Sequence, residues 1–139
     1  MYIFIWRVII KFKTLMIIKA VASIVLAVVL LTIPGQLLTL VGVASGLGAT
    51  IYGRIYGAAC VGIFLLTWTA RNAEDSVARK AIILDACVYD AVGFLVLLMI
   101  QLSGSTNALG WLFSAVYLFF AVSFGYYLLP QKKTAVYPS

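Results

Sequence analysis

The chain has 139 residues, of which 65% are hydrophobic and 10% are charged, and its mean hydropathy is +1.14. An ordinary soluble domain carries roughly 25% charged residues, so this composition excludes that class and indicates an integral membrane protein with one domain, 1–139. A net charge of +6 would suggest nucleic acid in a soluble protein, but here the basic residues flank apolar segments. We therefore expect the lipid bilayer as a partner, and no nucleic acid.

The N-terminal stretch "MYIFIWRVIIKFKT" is predicted to be an interfacial amphipathic segment, residues 1–14. Arg7 and Lys11 are four residues apart and share one face of a helix. Such a helix lies in the plane of the membrane surface. A partly disordered tail is the alternative.

Four stretches are long enough to cross a hydrocarbon core of about 30 Å, which takes about 20 helical residues. Pro34 and Gly35 end the first stretch, and Pro130 ends the last. The sequence therefore predicts an all-α, four-helix transmembrane bundle with spans at about 15–33, 51–70, 81–102 and 109–129.

The distribution of basic residues predicts how the bundle is oriented. Lys and Arg cluster at 7–13, 71–80 and 132–133, whereas the connections 34–50 and 103–108 contain none. Four crossings place all three clusters on one side, which the positive-inside rule makes cytoplasmic. We expect both termini in the cytoplasm and the protein in the plasma (inner) membrane.

The connection "PGQLLTLVGVASGLGAT", residues 34–50, is long, apolar and uncharged. Water would not favour its exposed leucines and valines, so we expect a short helix on or in the outer leaflet rather than a solvated loop. The same segment is also suited to covering a cavity.

Four charged residues fall inside the predicted spans, where charge is expensive and each one is a candidate site. A rise of 1.5 Å per residue gives Lys19 and Asp85 the same depth, and it leaves Arg54 within side-chain reach of Asp90 near the midplane. We predict the pairs Lys19–Asp85 and Arg54–Asp90 as structural counter-ions. The alternative is that Asp90 exchanges a proton or binds a cationic group.

Three tyrosines accompany these charges. Tyr89 follows Asp85 by four residues and lies nearly on its face, while Tyr52 and Tyr56 flank Arg54. We predict that Tyr52, Tyr56 and Tyr89 line a pocket.

Small residues make one side of the second span thin. Gly53 and Gly57 form a small-x-x-x-small pair, and Gly62 extends it. This spacing lets another helix approach closely, so we predict a helix-packing face at these three glycines.

The basic connection "RNAEDSVARK" offers a second candidate site. A tight solvated turn with local ion pairs is the simpler interpretation. Arg71, Arg79 and Lys80 also have the chemistry to bind a phosphate or a lipid headgroup.

The segments "GRIYGAACVGIFLLTWTAR" and "NALGWLFSAVYLFFAVSFGYYLL", residues 53–71 and 107–129, resemble small bacterial four-helix membrane proteins of the loose DoxX-like group. Some members of that group look like partners of redox enzymes that feed electrons to quinone. The resemblance implies only that a subunit role stays open, and it assigns no redox residue.

The chain contains no histidine, which removes the common ligand of haem, copper and zinc and the base of Ser-His and Cys-His catalysis. We therefore predict no enzyme, no catalytic residue and no metal site. The leading hypothesis is a non-catalytic membrane subunit or accessory protein, acting in a larger membrane complex or as a homo-oligomer. The alternatives are a small transporter or channel coupled through Asp90 and a subunit that binds quinone or lipid.

Overall fold

The computed structural model describes residues 11–130, and every regular element in that range is a helix. Four of the helices are long and apolar enough to cross a membrane, as the sequence predicts, and one is short. The elements are α1 (Phe12–Thr32), α2 (Pro34–Leu40), α3 (Leu47–Ala70), α4 (Val77–Leu102) and α5 (Leu109–Leu128).

Three of the long helices begin earlier than predicted, because apolar content alone does not mark a helix start. The first turn of α4 contains Arg79 and Lys80, and Ser76 caps it by accepting a hydrogen bond from the Arg79 backbone N–H at 3.1 Å. The predicted interfacial segment, 1–14, lies almost wholly outside the described residues, and α1 already begins at Phe12.

The long helices alternate in direction, so the two ends of the bundle differ in character. At one end, here called the basic end, α1 and α4 begin and α3 and α5 finish. The Arg79 guanidinium lies 3.9 Å from the centre of the Phe12 ring there, and that ring packs edge-on against Tyr127. The uncharged connections 33–46 and 103–108 lie at the opposite end, here called the apolar end.

The helices associate in two close pairs, α1 with α3 and α4 with α5. Glycines explain the first pair: a Cβ added at Gly53 would lie 3.0 Å from the Pro34 Cβ, and one added at Gly57 would lie 3.0 Å from the Leu30 Cβ. Gly62 has nothing within 4 Å of such an atom. The predicted packing face therefore consists of the first two glycines, and Gly62 lies outside it.

The short helix predicted between the first two spans is present as α2, and Asn107 ties it to the other pair. The Asn107 backbone N–H donates to the Val41 carbonyl at 2.9 Å, and its side-chain amide donates to the Leu40 carbonyl at 2.8 Å. Its side-chain oxygen accepts from the Leu109 N–H at 3.0 Å. Gly42 has φ +85°, and an added Cβ would lie 3.1 Å from the Asn107 nitrogen, so this contact requires glycine.

The two pairs pack tightly only toward the basic end. All four long helices contribute buried apolar side chains there: Leu15, Met16, Ala70, Ile83, Ala86, Phe120 and Phe124. Beyond this cluster the pairs separate toward the apolar end, and the space between them forms the candidate site.

Candidate functional site

A buried ion pair joins the two helix pairs near the middle of the bundle. The Lys19 ammonium on α1 donates to Asp90 Oδ1 on α4, with Lys19 5% exposed and Asp90 fully buried. This contact corrects both predicted pairs, because Lys19 is bonded to Asp90 and not to Asp85. Arg54 and Asp85 are exposed, and neither has an ion-pair partner within residues 11–130.

The predicted ion pairs were wrong because the helices have different bounds from the predicted spans. The midpoints of α1 and α4 fall near residues 22 and 89–90, so Lys19 lies only about 4 to 5 Å from the middle of its helix, and Asp90 within about 1 Å. A lysine stem covers that difference easily. Arg54 lies on an exposed face of α3, so its side chain does not reach the buried Asp90.

Aromatic rings surround the Lys19 ammonium. Its nitrogen lies 5.3 Å from the centre of the Tyr89 ring, 5.5 Å from that of Tyr117 and 4.5 Å from that of Phe120. Ring faces attract a cation, and the attraction is larger where water is absent. The ammonium is therefore held by one carboxylate and three rings.

Three tyrosine hydroxyls meet beside this ion pair, and we call them the tyrosine cluster: Tyr56, Tyr89 and Tyr117. The Tyr56 hydroxyl shares hydrogen bonds with Tyr89, at 2.7 Å, and with Tyr117. The hydroxyls of Tyr89 and Tyr117 are 3.5 Å apart. The cluster links α3, α4 and α5, which lets three phenols satisfy one another in apolar surroundings.

Gly93 positions the Tyr117 ring. A Cβ added at Gly93 would lie 2.4 Å from two carbons of that ring, so the tyrosine occupies the space where a side chain on α4 would be. Only glycine at this position allows the ring to lie against the helix.

The second carboxylate oxygen of Asp90 does not take part in the ion pair. Asp90 Oδ2 is buried and has no hydrogen-bond partner within the described range, and the buried Ser123 hydroxyl oxygen shares that condition. Buried polar atoms are ordinarily paired, with protein or with ordered water.

A cavity of about 680 Å³ lies between the two helix pairs, and we call it the main cavity. Its wall on α4 extends from Asp85 to Gln101, and its other walls come from α1, α2, α5 and the tyrosine cluster. Apolar side chains dominate the lining: Leu26, Leu30, Leu37, Leu38, Val41, Val88, Val92, Val96, Leu97, Ile100 and Phe113.

The main cavity opens sideways. Val88, Val92 and Val96 line it and are nevertheless about half exposed, at 51%, 54% and 49%. A second cavity, of about 390 Å³, lies on the other side of the tyrosine cluster between α1, α3 and α5, and Lys19 lines it.

Two of the three tyrosines predicted to line a pocket do so. Tyr56 and Tyr89 line both cavities, whereas Tyr52 is 75% exposed and lines neither. The third tyrosine that lines both cavities is Tyr117, which was not predicted as a site residue. Its position near the middle of an apolar span was a usable signal, because a phenol at that depth needs a hydrogen-bond partner within the protein.

The two arginines of the basic connection lie against aromatic rings of α3 and α1. Arg71 lies 4.2 Å from the centre of the Trp68 ring and donates to the Trp68 carbonyl. Arg79 stacks on Phe12 and donates to the Ala73 carbonyl at 3.2 Å. Lys80 is exposed, so of the three predicted headgroup ligands it alone is held by no ring.

In the described part of the chain, no three potential metal ligands among Cys, Asp and Glu come together. Cys60 is a buried free thiol and Cys87 a half-buried one. The arrangement offers instead an apolar space with hydroxyls on one wall and a carboxylate at one end.

Comparison with known proteins corrects the resemblance to the DoxX-like group. A family model described as "Tumour protein p53-inducible protein 11" matches residues 2–135, nearly the whole chain, and it represents a different family. The short patterns at 53–71 and 107–129 were too common among apolar helices to tell the two apart. Searches of curated proteins and of solved structures found no match.

Proposed function

This chain belongs to the tumour protein p53-inducible protein 11 family, and we propose that it is an integral membrane protein that binds an apolar, lipid-like molecule between its helix pairs. In this proposal the protein binds its ligand and catalyses no reaction on it. The observation that carries the proposal is the main cavity.

The cavity has the size and lining of a ligand site. Pockets for small molecules measure about 300 to 1,000 Å³ and combine apolar walls with a few polar groups, and this cavity of about 680 Å³ falls in that range. Its polar groups include the tyrosine cluster, Gln101 and Thr106. Its mouth lies along the exposed face of α4, so a molecule dissolved in the bilayer has a sideways path into it.

The membrane orientation forms part of the proposal. The described basic residues at and beyond the helix ends all lie at the basic end, which supports a cytoplasmic basic end and cytoplasmic termini; they are Lys11, Lys13, Arg71, Arg79 and Lys80. Placement in the plasma or inner membrane stays a prediction, which fractionation of cells expressing the tagged chain would check.

The test is to identify what the purified protein carries. The protein is extracted with a mild detergent, exchanged into clean micelles, and its organic extract is analysed by mass spectrometry. The variant Val96→Trp fills the main cavity, and Val122→Trp is the matched control, since Val122 is 53% exposed and lines neither cavity.

We expect an apolar molecule in near-stoichiometric amount with the unmodified chain and with Val122→Trp, and its loss from Val96→Trp. Equal amounts in all three proteins, or none in any of them, would overturn the proposal.

A second candidate function is a non-catalytic subunit of a larger membrane assembly or a homo-oligomer. The exposed Arg54 favours it, because a cation inside a span gains from a partner, and so does the open space at Gly62, where another helix has room to approach. Native mass spectrometry of the same extract checks this candidate, which requires a second polypeptide or a second copy.

Coupled transport through Asp90 is less well supported by the geometry, since this carboxylate is fully buried and already bonded to Lys19. If Asp90 nevertheless acts as a coupling site, Asp90→Asn abolishes flux in proteoliposomes while the protein stays folded. If it is a counter-ion, the same change lowers stability.

A further inference from the structure

We propose that the ligand of the main cavity is a cationic amphiphile, with its ammonium group against Asp85 and its hydrocarbon chain along α4. This inference rests on the proposed function and names the chemical class of the molecule bound.

The charge in the cavity wall carries the argument. Among the described residues that line the main cavity, Asp85 is the one that carries a charge. Its side chain is exposed, and within residues 11–130 it has neither an ion-pair nor a hydrogen-bond partner. A carboxylate in the interior of a membrane is expensive unless a cation compensates it. The cavity therefore presents an uncompensated negative charge at one end.

The cations of the long helices do not supply the missing charge, because none within residues 11–130, Lys13 and Lys80 included, forms an ion pair with Asp85. Lys19 is committed to Asp90. Arg54 lies about 7 Å beyond the middle of α3 toward the apolar end, whereas Asp85 lies about 7 Å from the middle of α4 toward the basic end, so about 14 Å of depth separates them. Arg79 stacks on Phe12 at the basic end.

The shape of the cavity selects a long molecule. Asp85, Tyr89, Val92, Val96 and Ile100 follow one stripe of α4, and all five line the cavity. The stripe is about 22 Å long from its first residue to its last. Beyond Asp85 its only polar group is the Tyr89 hydroxyl, which is engaged with Tyr56. A charged head at one end of an extended apolar wall matches an amphiphile with one ammonium group and a long alkyl chain.

The experiment uses photoreactive probes on the full-length chain in phosphatidylcholine nanodiscs. One probe is a long-chain alkylamine that carries a diazirine in its chain, and a second is the alcohol of the same length. The labelled residues are mapped by peptide mass spectrometry. The variants are Asp85→Asn, Asp85→Glu and the control Asp75→Asn, which changes an exposed carboxylate outside both cavities.

We expect the alkylamine to label the α4 stripe in the unmodified chain, in Asp85→Glu and in Asp75→Asn. Competition with unlabelled alkylamine should give a Kd about tenfold or more higher for Asp85→Asn, the loss expected when one charge-assisted contact is removed. The alcohol should bind the unmodified chain about as weakly as the amine binds Asp85→Asn.

Three results would overturn the inference. If amine and alcohol label the stripe equally and Asp85→Asn changes neither, the cavity binds apolar molecules without regard to charge, and only the proposed function survives. If neither probe labels the cavity, the proposed function fails with it. A change in oligomeric state of Asp85→Asn without any labelling of the unmodified chain would place a second polypeptide at this carboxylate instead.

Discussion

Asp90 is fully buried against Lys19, whereas Asp85, five residues earlier on α4, is exposed at the wall of the main cavity. Five residues turn the helix by about 140°, so the two carboxylates point to different surroundings. One is neutralised by the protein and joins its two halves. The other has no ion-pair partner within residues 11–130. Two aspartates of one helix thus differ in role: Asp90 is a structural counter-ion on one face, and Asp85 is a candidate ligand contact on another.

The largest expected effect comes from breaking the buried pair. Replacing Asp90 with Leu leaves the Lys19 ammonium buried without its counter-ion, which costs about 3–5 kcal/mol of unfolding free energy. The double variant Lys19→Met/Asp90→Leu should recover most of that loss, because no buried charge remains. Unfolding by titration with a denaturing detergent measures both.

The control for this experiment is Asp85→Leu, which removes an exposed carboxylate from the same helix. We expect it to leave the unfolding free energy unchanged or to raise it, because it removes a carboxylate that has no ion-pair partner within residues 11–130. A double variant as unstable as Asp90→Leu alone, or an Asp85→Leu variant that is equally unstable, would show that the two aspartates do not differ as described.

A smaller effect is expected at Gly93, which lines the main cavity and lies against the Tyr117 ring. Gly93→Val places new atoms where the Tyr117 ring now lies, and overpacking of this kind costs about 1–3 kcal/mol. Gly62→Val is the matched change in open space and should be nearly neutral. Thermal unfolding in micelles compares the two variants, and equal losses would contradict the contact between Gly93 and Tyr117.

The smallest effect is expected at the tyrosine cluster, where Tyr56→Phe removes the hydroxyl that bonds to both Tyr89 and Tyr117. The net loss should be about 1 kcal/mol or slightly more, since a typical hydrogen bond contributes that amount. Tyr52→Phe, four residues away and exposed, should change nothing measurable. A loss at Tyr52 as large as that at Tyr56 would show that the hydroxyl network is not what stabilises this region.

The sequence was sufficient to predict the long apolar helices and the short helix after Pro34, because hydropathy and helix breakers are local signals. It also marked Lys19 and Asp90 as costly residues. It could not pair them, because pairing depends on the face that each helix turns inward, and that face is set by contacts far apart in sequence. Gly93 is an example. It matters because the Tyr117 ring packs against it, and the residues near Gly93 in the sequence do not predict that contact.

Tyr56 and Tyr89 were predicted to line a pocket, but the position and the other walls of the main cavity could not be predicted, for a related reason. It exists because the helix pairs pack at the basic end and separate beyond it, and that depends on where Phe120, Phe124 and Leu15 meet. The exposed position of Asp85 follows from the same arrangement.

The most direct test of the account measures stability and ligand binding together on Asp85→Asn and Asp90→Asn in the same nanodiscs. We expect Asp90→Asn to lose unfolding free energy, whereas Asp85→Asn keeps its stability and loses affinity for the long-chain alkylamine. If Asp85→Asn instead loses stability and binds the alkylamine as the unmodified chain does, the division of roles between these two carboxylates is contradicted.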